Sequence, residues 1–303
     1  MDEANAVWVE FAGLAIKKKT EGDETINEEE TTDSSEWIEI IFSEPLKVDL
    51  LTLQGSNHIS LLNEQTFPVG TYSEIRLMVN MDNDLDTYIE LTDGSKHELT
   101  VPSGSQTGLK VKGDITVPEN GEVAFTIDFD VRKSIVVQGN GEYKLSPVLK
   151  LTEDSLTGHI SGTVESELLT SSSEGNWSCS DEDMTTYNAA YIFNGANTSP
   201  VDISEGSSEP LTTALIHLDD STGKYQFEAG YLLAGDYTVA FTCNTDAETT
   251  TEVDDGQGNI SIVENSGDDL KFIGTQNVTV VAGETTNVEI IAPEAAPAPD
   301  PAP

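Results

Sequence analysis

The sequence predicts an all-β protein: two consecutive antiparallel β-sandwich domains, residues 1–153 and 154–292, followed by a disordered Pro/Ala-rich tail, 293–303. Three observations predict this. Apolar residues alternate with polar ones at period two along most of the chain, the spacing of a strand with one buried face. Turns fall at Gly, Asn, Asp and Pro, which supply or tolerate turn dihedrals, and no stretch has the apolar spacing of a long helix. At 303 residues the chain is long enough for two domains that each bury a core.

In the first half, AVWVEFAGLAI (6–16) reads as a strand, and the polar run KKKTEGDETINEEETTDSSE (17–36) after it as a mobile loop at a hairpin tip. EWIEIIF (36–42) returns as a second strand. Pro68 and Gly70 shape the turn before TYSEIRLMVN (71–80). There Ile75 and Leu77 share a face, while Tyr72 is out of phase and is expected at the domain edge. EVAFTIDFDV (122–131) reads as one strand running on toward Arg132, so Asp128, Asp130 and Arg132 share a face suited to a cross-strand ion network. YKLSPVLKLT (143–152) reads as the last strand of the domain.

The alternation pauses at TEDSLTG (152–158) and restarts with HISGTVESELL. Short strands follow at TTYNAAYIF, TTALIHL, KYQFEA, DYTVAFTC, NISIVE, LKFIGTQNVTVV and TNVEIIA. The terminal PEAAPAPDPAP cannot form a sheet ladder, because proline offers no backbone donor, and is expected to run as a solvated, extended tail.

The charge narrows the partners. The chain holds 14 Lys and Arg against 55 Asp and Glu, a formal charge of −41. Residues 1–153 carry 12 basic and 29 acidic side chains, and residues 154–303 carry 2 and 26. Nucleic acid and anionic lipid surfaces both require cations to neutralise phosphates, so nucleic acid is set aside as a partner. No apolar run of about 18 residues is present, so no membrane span is expected. Met1 is followed by DEANAV, without a basic or apolar leader region, which by itself reads as cytosolic.

Cys179 and Cys243, in NWSCSD and AFTCNTD, have neither the CxxC spacing nor a neighbouring His that would make a metal site, and are expected to form a disulfide. A loop closed between two cysteines 64 positions apart would contribute roughly 4 kcal/mol in the chain-entropy account.

The best cofactor candidate is calcium, in MVNMDNDLDTYIEL (78–91). Calcium takes hard oxygen ligands from a flexible loop, and Asp82, Asp84 and Asp86 alternate so that all three can point at one ion, with Glu90 four residues on. Thr87 and Asp93 stand where an EF-hand-like loop has its Gly and its bidentate Glu, so the match is partial, and the acidic tip of a β-hairpin is the competing reading. Asp181, Glu182 and Asp183, Asp219 and Asp220, and Asp254 and Asp255 are weaker candidates that ordinary turn chemistry also explains. Sequons begin at Asn176, Asn197, Asn259 and Asn277 and are read as incidental.

No catalytic residues are assigned. HExxH, GxSxG, Walker and GxGxxG patterns are absent, and His58, His97, His159 and His217 are scattered singly. STGK (221–224) fits Ser-x-x-Lys only formally, since a hairpin turn does not stack the two side chains.

Several stretches of the first half, in order, carry a family resemblance: ANAVWVEFAGLAIKK, VDLLTLQGSNHISLLNEQTFPVGTYSEIRLMV, LTVPSGSQTGLKV, DFDVRKSIVV and YKLSPVLKL. Residues 4–151 thus resemble the bacterial domain of unknown function DUF4382, found mostly in lipoproteins and other exported proteins. In the second half, GHISGTV (158–164) and DSTGKYQFEAGYLLAGDYTVAFTC (220–243) are similar to carboxypeptidase-regulatory-like, transthyretin-type β-sandwich modules, with a longer acidic insertion at Ser171–Asp183. The resemblance implies export to the periplasm, outer membrane or cell surface, with a lipid anchor upstream, and supplies no activity.

The expected function is therefore that of a non-catalytic envelope or surface protein, a structural or interaction module whose partners are other envelope proteins, glycans or further copies of itself. Two alternatives stand beside it. One is a calcium-dependent adhesin or glycan-binding protein, with Tyr88 or Trp177 stacking on sugar rings. The other is a hydrolase using a carboxylate pair.

Overall fold

The computed structural model of the protein describes residues 4–19, 37–83, 85–101, 108–170, 188–201, 209–243, 248–254, 260–266 and 272–291. The chain divides into two compact units, Met1–Thr157 and Gly158–Pro303. Both are built of strands. The only α-helices among the described residues are α1 (Val131–Ser134) and α2 (Ser166–Thr170). The tail at 293–303 lies outside the described residues, as does nearly all of the run expected to form a loop at 17–36.

The first unit contains β1 (Ala4–Lys18), β2 (Trp37–Asp49), β3 (Gly70–Val79), β4 (Tyr88–Leu91), β5 (Lys96–Thr100), β6 (Leu109–Val117), β7 (Phe125–Phe129), β8 (Ile135–Val137), β9 (Tyr143–Leu145) and β10 (Leu149–Glu153). Its main sheet runs β6-β3-β1-β4-β5-β9-β8, with β2 along the other edge of β1. β1 is the hub: its first half pairs with β4, its second half with β3, and residues 8–17 with β2. Side chains from both ends of the sheet meet in one core, where Val7, Val9, Phe11, Leu14 and Ile16 pack with Leu77, Leu109, Leu99 and Leu145. Burial of each large aliphatic side chain contributes about 1.5–3 kcal/mol.

Two bulges set which residues reach that core. The β1 ladders skip Ala12, so the buried phase passes from Val7, Val9 and Phe11 to Leu14 and Ile16. The adjacent Gly13 gives the bulge its room, because a Cβ there would press on the Ile40 carbonyl oxygen. The second bulge corrects an expectation. The ladders of β3 skip Ser73, which brings Tyr72 back into phase with Ile75 and Leu77, so Tyr72 lies in the core at 1 % exposure rather than at the domain edge.

The strand expected through Asp130 stops at Phe129 instead. Asp130 caps α1: its carboxylate accepts from the Lys133 N–H at 3.2 Å, and its carbonyl accepts from the Ser134 hydroxyl. Asp128 still faces Lys150 across the β7–β10 ladder. The single strand expected at 143–152 is split, with β9 in the main sheet and β10 on β7. Pro147 has no N–H to offer between them, and buried Ser134 holds the break, its hydroxyl accepting from the Val148 N–H at 2.8 Å.

The second unit contains β11 (Thr157–Val164), β12 (Ala189–Asn194), β13 (Thr212–Leu215), β14 (His217–Asp219), β15 (Lys224–Leu233), β16 (Gly235–Thr242), β17 (Glu248–Asp254), β18 (Ile260–Ser266), β19 (Ile273–Val280) and β20 (Thr285–Ile290). Two four-stranded sheets, β14-β15-β11-β20 and β13-β12-β16-β19, enclose a core around Ile160, Ile192, Phe227 and Phe241, and β17–β18 forms a separate hairpin. Gly162 makes room for Phe227, whose ring would collide with any Cβ at that position. β12 reads as an unbroken apolar run because both of its faces are covered: Ile192 joins the core, while Tyr191 and Phe193 pack edge-on against Phe272. Two strand pairs, β5–β9 and β11–β20, run parallel.

Candidate functional site

The acidic turn and the outer strand β2 come together in the first unit. At the turn, Asp84 lies outside the described residues and Asp82 is exposed. The Asp86 carboxylate accepts from the Asn83 backbone N–H at 2.8 Å and from the Asn83 side-chain amide at 3.1 Å. Thr87, 1 % exposed, donates to the Asn80 carbonyl and accepts from the Glu10 N–H. Glu90 lies in β4 and forms an ion pair with Lys96 at 3.1 Å. Its carboxylate and the neighbouring Tyr88 hold the Lys96 ammonium above its ordinary value. Asp93 closes the next turn, and hydrogen bonds from Ser95 hold its carboxyl below the usual range.

A cation already reaches this turn. Lys47 of β2 donates to the Leu85 carbonyl at 2.5 Å and lies 4.9 Å from the centre of the Tyr88 ring. Lys96 approaches the same ring at 5.1 Å, and Trp8 stacks beside it. Tyr88 is therefore 8 % exposed and has no open face for a sugar. Trp177 lies outside the described residues.

β2 itself has a single ladder partner among the described residues, β1. Its ladder breaks at Phe42–Pro45, which stand across from Ala12 without partners, leaving the stretches 37–41 and 46–49. In the first stretch Ile38 and Ile40 pack toward the core, while Ile41 is 65 % exposed. The strand is anchored at its start, where the Arg76 guanidinium lies 3.8 Å over the Trp37 ring and donates to Glu74 at 3.1 Å. An outer strand leaves a row of N–H and C=O groups available to a further strand, and charges or proline normally blunt it. Glu44, Pro45 and Lys47 do so beyond residue 43, whereas 37–41 carries only Glu39. Sequence reasoning missed Ile41, Trp37 and Lys47. The signal present was Ile40-Ile41-Phe42, three consecutive apolar residues where strict alternation allows two on one face.

The other candidate residues are taken up locally or lie outside the described residues. Asp219 accepts from the Ser221 N–H and hydroxyl, the Thr222 hydroxyl and the Gln226 amide, which hold its carboxyl far below the usual range and fix the β14–β15 turn. The Asn277 amide donates to the Asn197 side-chain oxygen at 2.8 Å, so two of the sequons tie one loop to β19. Cys179, Asp181, Glu182, Asp183, Asp255, Asn176 and Asn259 lie outside the described residues. Cys243, at the end of β16, is half-buried against the second core, and no cysteine among the described residues is free. Among the described residues no three His, Cys, Asp or Glu side chains are grouped to hold a metal ion, and no helix is long and apolar enough to cross a membrane. A groove of about 240 Å³ in the second unit is lined by Glu165, Lys224, Tyr225 and Glu289.

Fold and site define an all-β protein of two units whose first unit presents a long outer strand. Residues 1–147 match the model of the family described as a domain of unknown function, DUF4382, so the first unit carries that domain. No curated protein and no solved structure matches the chain.

Proposed function

We propose that the protein is a non-catalytic interaction module of the cell envelope, exported and held near a membrane, which captures an extended segment of a partner envelope or surface protein by adding it to β2. The observation that carries this reading is the outer edge of 37–41, with one ladder partner and an exposed Ile41. Strand addition draws affinity from main-chain hydrogen bonds and specificity from alternate side chains, so it needs no cleft and no metal. Export and anchoring are what the resemblance to DUF4382 implies, and residues 1–147 match that family. We read the second unit as a carboxypeptidase-regulatory-like sandwich acting as a spacer, on the strength of its paired four-stranded sheets and its Gly235–Tyr237 strand start. We also propose a Cys179–Cys243 disulfide, which an oxidising envelope would preserve.

The test is a photo-crosslinking amino acid at position 41, expressed in the native cells. A discrete adduct to an envelope protein, lost when Ile40 is also replaced by proline, supports the reading. The absence of an adduct, or the same adduct from a probe at Lys112 on another strand, refutes it.

A further inference from the structure

β17 and β18 pair with each other and, among the described residues, with no other strand. The pair Glu248↔Ser266 stands seven residues beyond Phe241↔Ile273 on both strands, so the hairpin keeps the register of the β16–β19 ladder. β16 and β19 belong to a packed four-stranded sheet, and β17–β18 is a two-stranded sheet of its own. Each arm strand has seven residues, a length of about 23 Å when extended. A lone two-stranded hairpin is marginal in water, and each of its outer edges offers a row of backbone donors and acceptors to a third strand.

The sequence of the arm restricts what that strand can be. Its strands contain Glu248, Glu252, Asp254 and Glu264 and no Lys, Arg or Pro. Proline, which would bar pairing outright, is absent, and the charge is of one sign. The arm of a second copy would bring only acidic charge to these four carboxylates, whereas a strand carrying Lys or Arg would bring opposite charge. We propose that the β17–β18 arm is a docking element for an extended basic segment, which adds to it as a third strand. β2 plays no part in this contact.

Because any basic peptide is drawn to a chain of charge −41, the experiment must separate strand addition from bulk attraction. Two nine-residue peptides of equal charge serve as probes, one alternating Lys with Thr and Val, the other with proline at every second apolar position. The expected result is that the full chain binds the first about tenfold more tightly, with slowed amide exchange in 248–254 or 260–266. Thr251→Pro should abolish the preference, and Glu252→Lys with Glu264→Lys should weaken the first peptide while the fold is retained. Equal binding of the two peptides, or a preference that survives Thr251→Pro, overturns the proposal.

Discussion

The Tyr72 hydroxyl donates a 2.7 Å hydrogen bond to the carbonyl of Pro68, four residues back. The second unit repeats the contact: Tyr237 donates to the Leu233 carbonyl at 2.6 Å, again four residues back. Each tyrosine stands two residues after a glycine, Gly70 or Gly235, at the start of an inner strand, β3 or β16. This is the geometry of a tyrosine corner, which fixes the angle at which a chain enters a sheet. Both phenols are buried, so each hydroxyl would lack a partner without its corner.

Tyr72→Phe and Tyr237→Phe should each cost about 1 kcal/mol, the usual net value of a buried hydrogen bond, with the carbonyl left behind raising the figure. Thermal unfolding followed by unit-specific probes, Trp8 and Trp37 for the first unit, should show Tyr72→Phe lowering the first transition alone. Equal effects of both variants on both transitions would contradict a corner role confined to its own unit.

Titration should read the same burial. Desolvation raises both phenols above the ordinary 10.0. Because the folded values exceed the unfolded ones, their stabilisation is whole below about pH 10 and is lost as pH climbs through the folded values. Difference phenolate absorbance between the parent and Tyr72→Phe or Tyr237→Phe should show each of these two phenols ionising above 10.0, together with loss of tertiary structure. Asp219 acts in the opposite direction. Its lowered carboxyl favours the folded state above about pH 4, and that contribution disappears on acidification, a dependence Asp219→Asn should remove.

Millimolar calcium and a chelator should give the same melting curve. Asp86 is bonded to Asn83, Glu90 to Lys96, and Lys47 already occupies the Leu85 carbonyl. A clear rise in melting temperature with calcium would instead support MVNMDNDLDTYIEL as a metal loop.

Gly13→Ala should destabilise the first unit by about 1–3 kcal/mol, since the new methyl meets the Ile40 carbonyl oxygen. Denaturant melts of the variant would reveal this, and a neutral result would mean that the Ala12 bulge relaxes freely.

The long strands were legible in the sequence because period-two alternation survives in β1, β3 and β16. The bulges at Ala12 and Ser73 were not, since one skipped residue inverts the phase and reads locally as noise. That is why Tyr72 was expected at an edge and lies in the core. The α1 cap at Asp130 and the break at Pro147 had visible signals, an Asp before a helical turn and a proline inside a strand, which the surrounding alternation outweighed. The acidic turn drew attention by composition, whereas the edge beside it depends on which strand has only one neighbour, a property of topology that no local pattern carries.

The central claim is that 37–41 accepts a partner strand. Its most direct measurement is amide hydrogen exchange across Trp37–Ile41 in the free protein and in the adduct isolated through position 41. Strand addition predicts fast exchange at alternate amides in the free protein and strong protection in the adduct, with β6 unchanged. Slow exchange along the whole stretch in the free protein, or an adduct with no added protection, would contradict it.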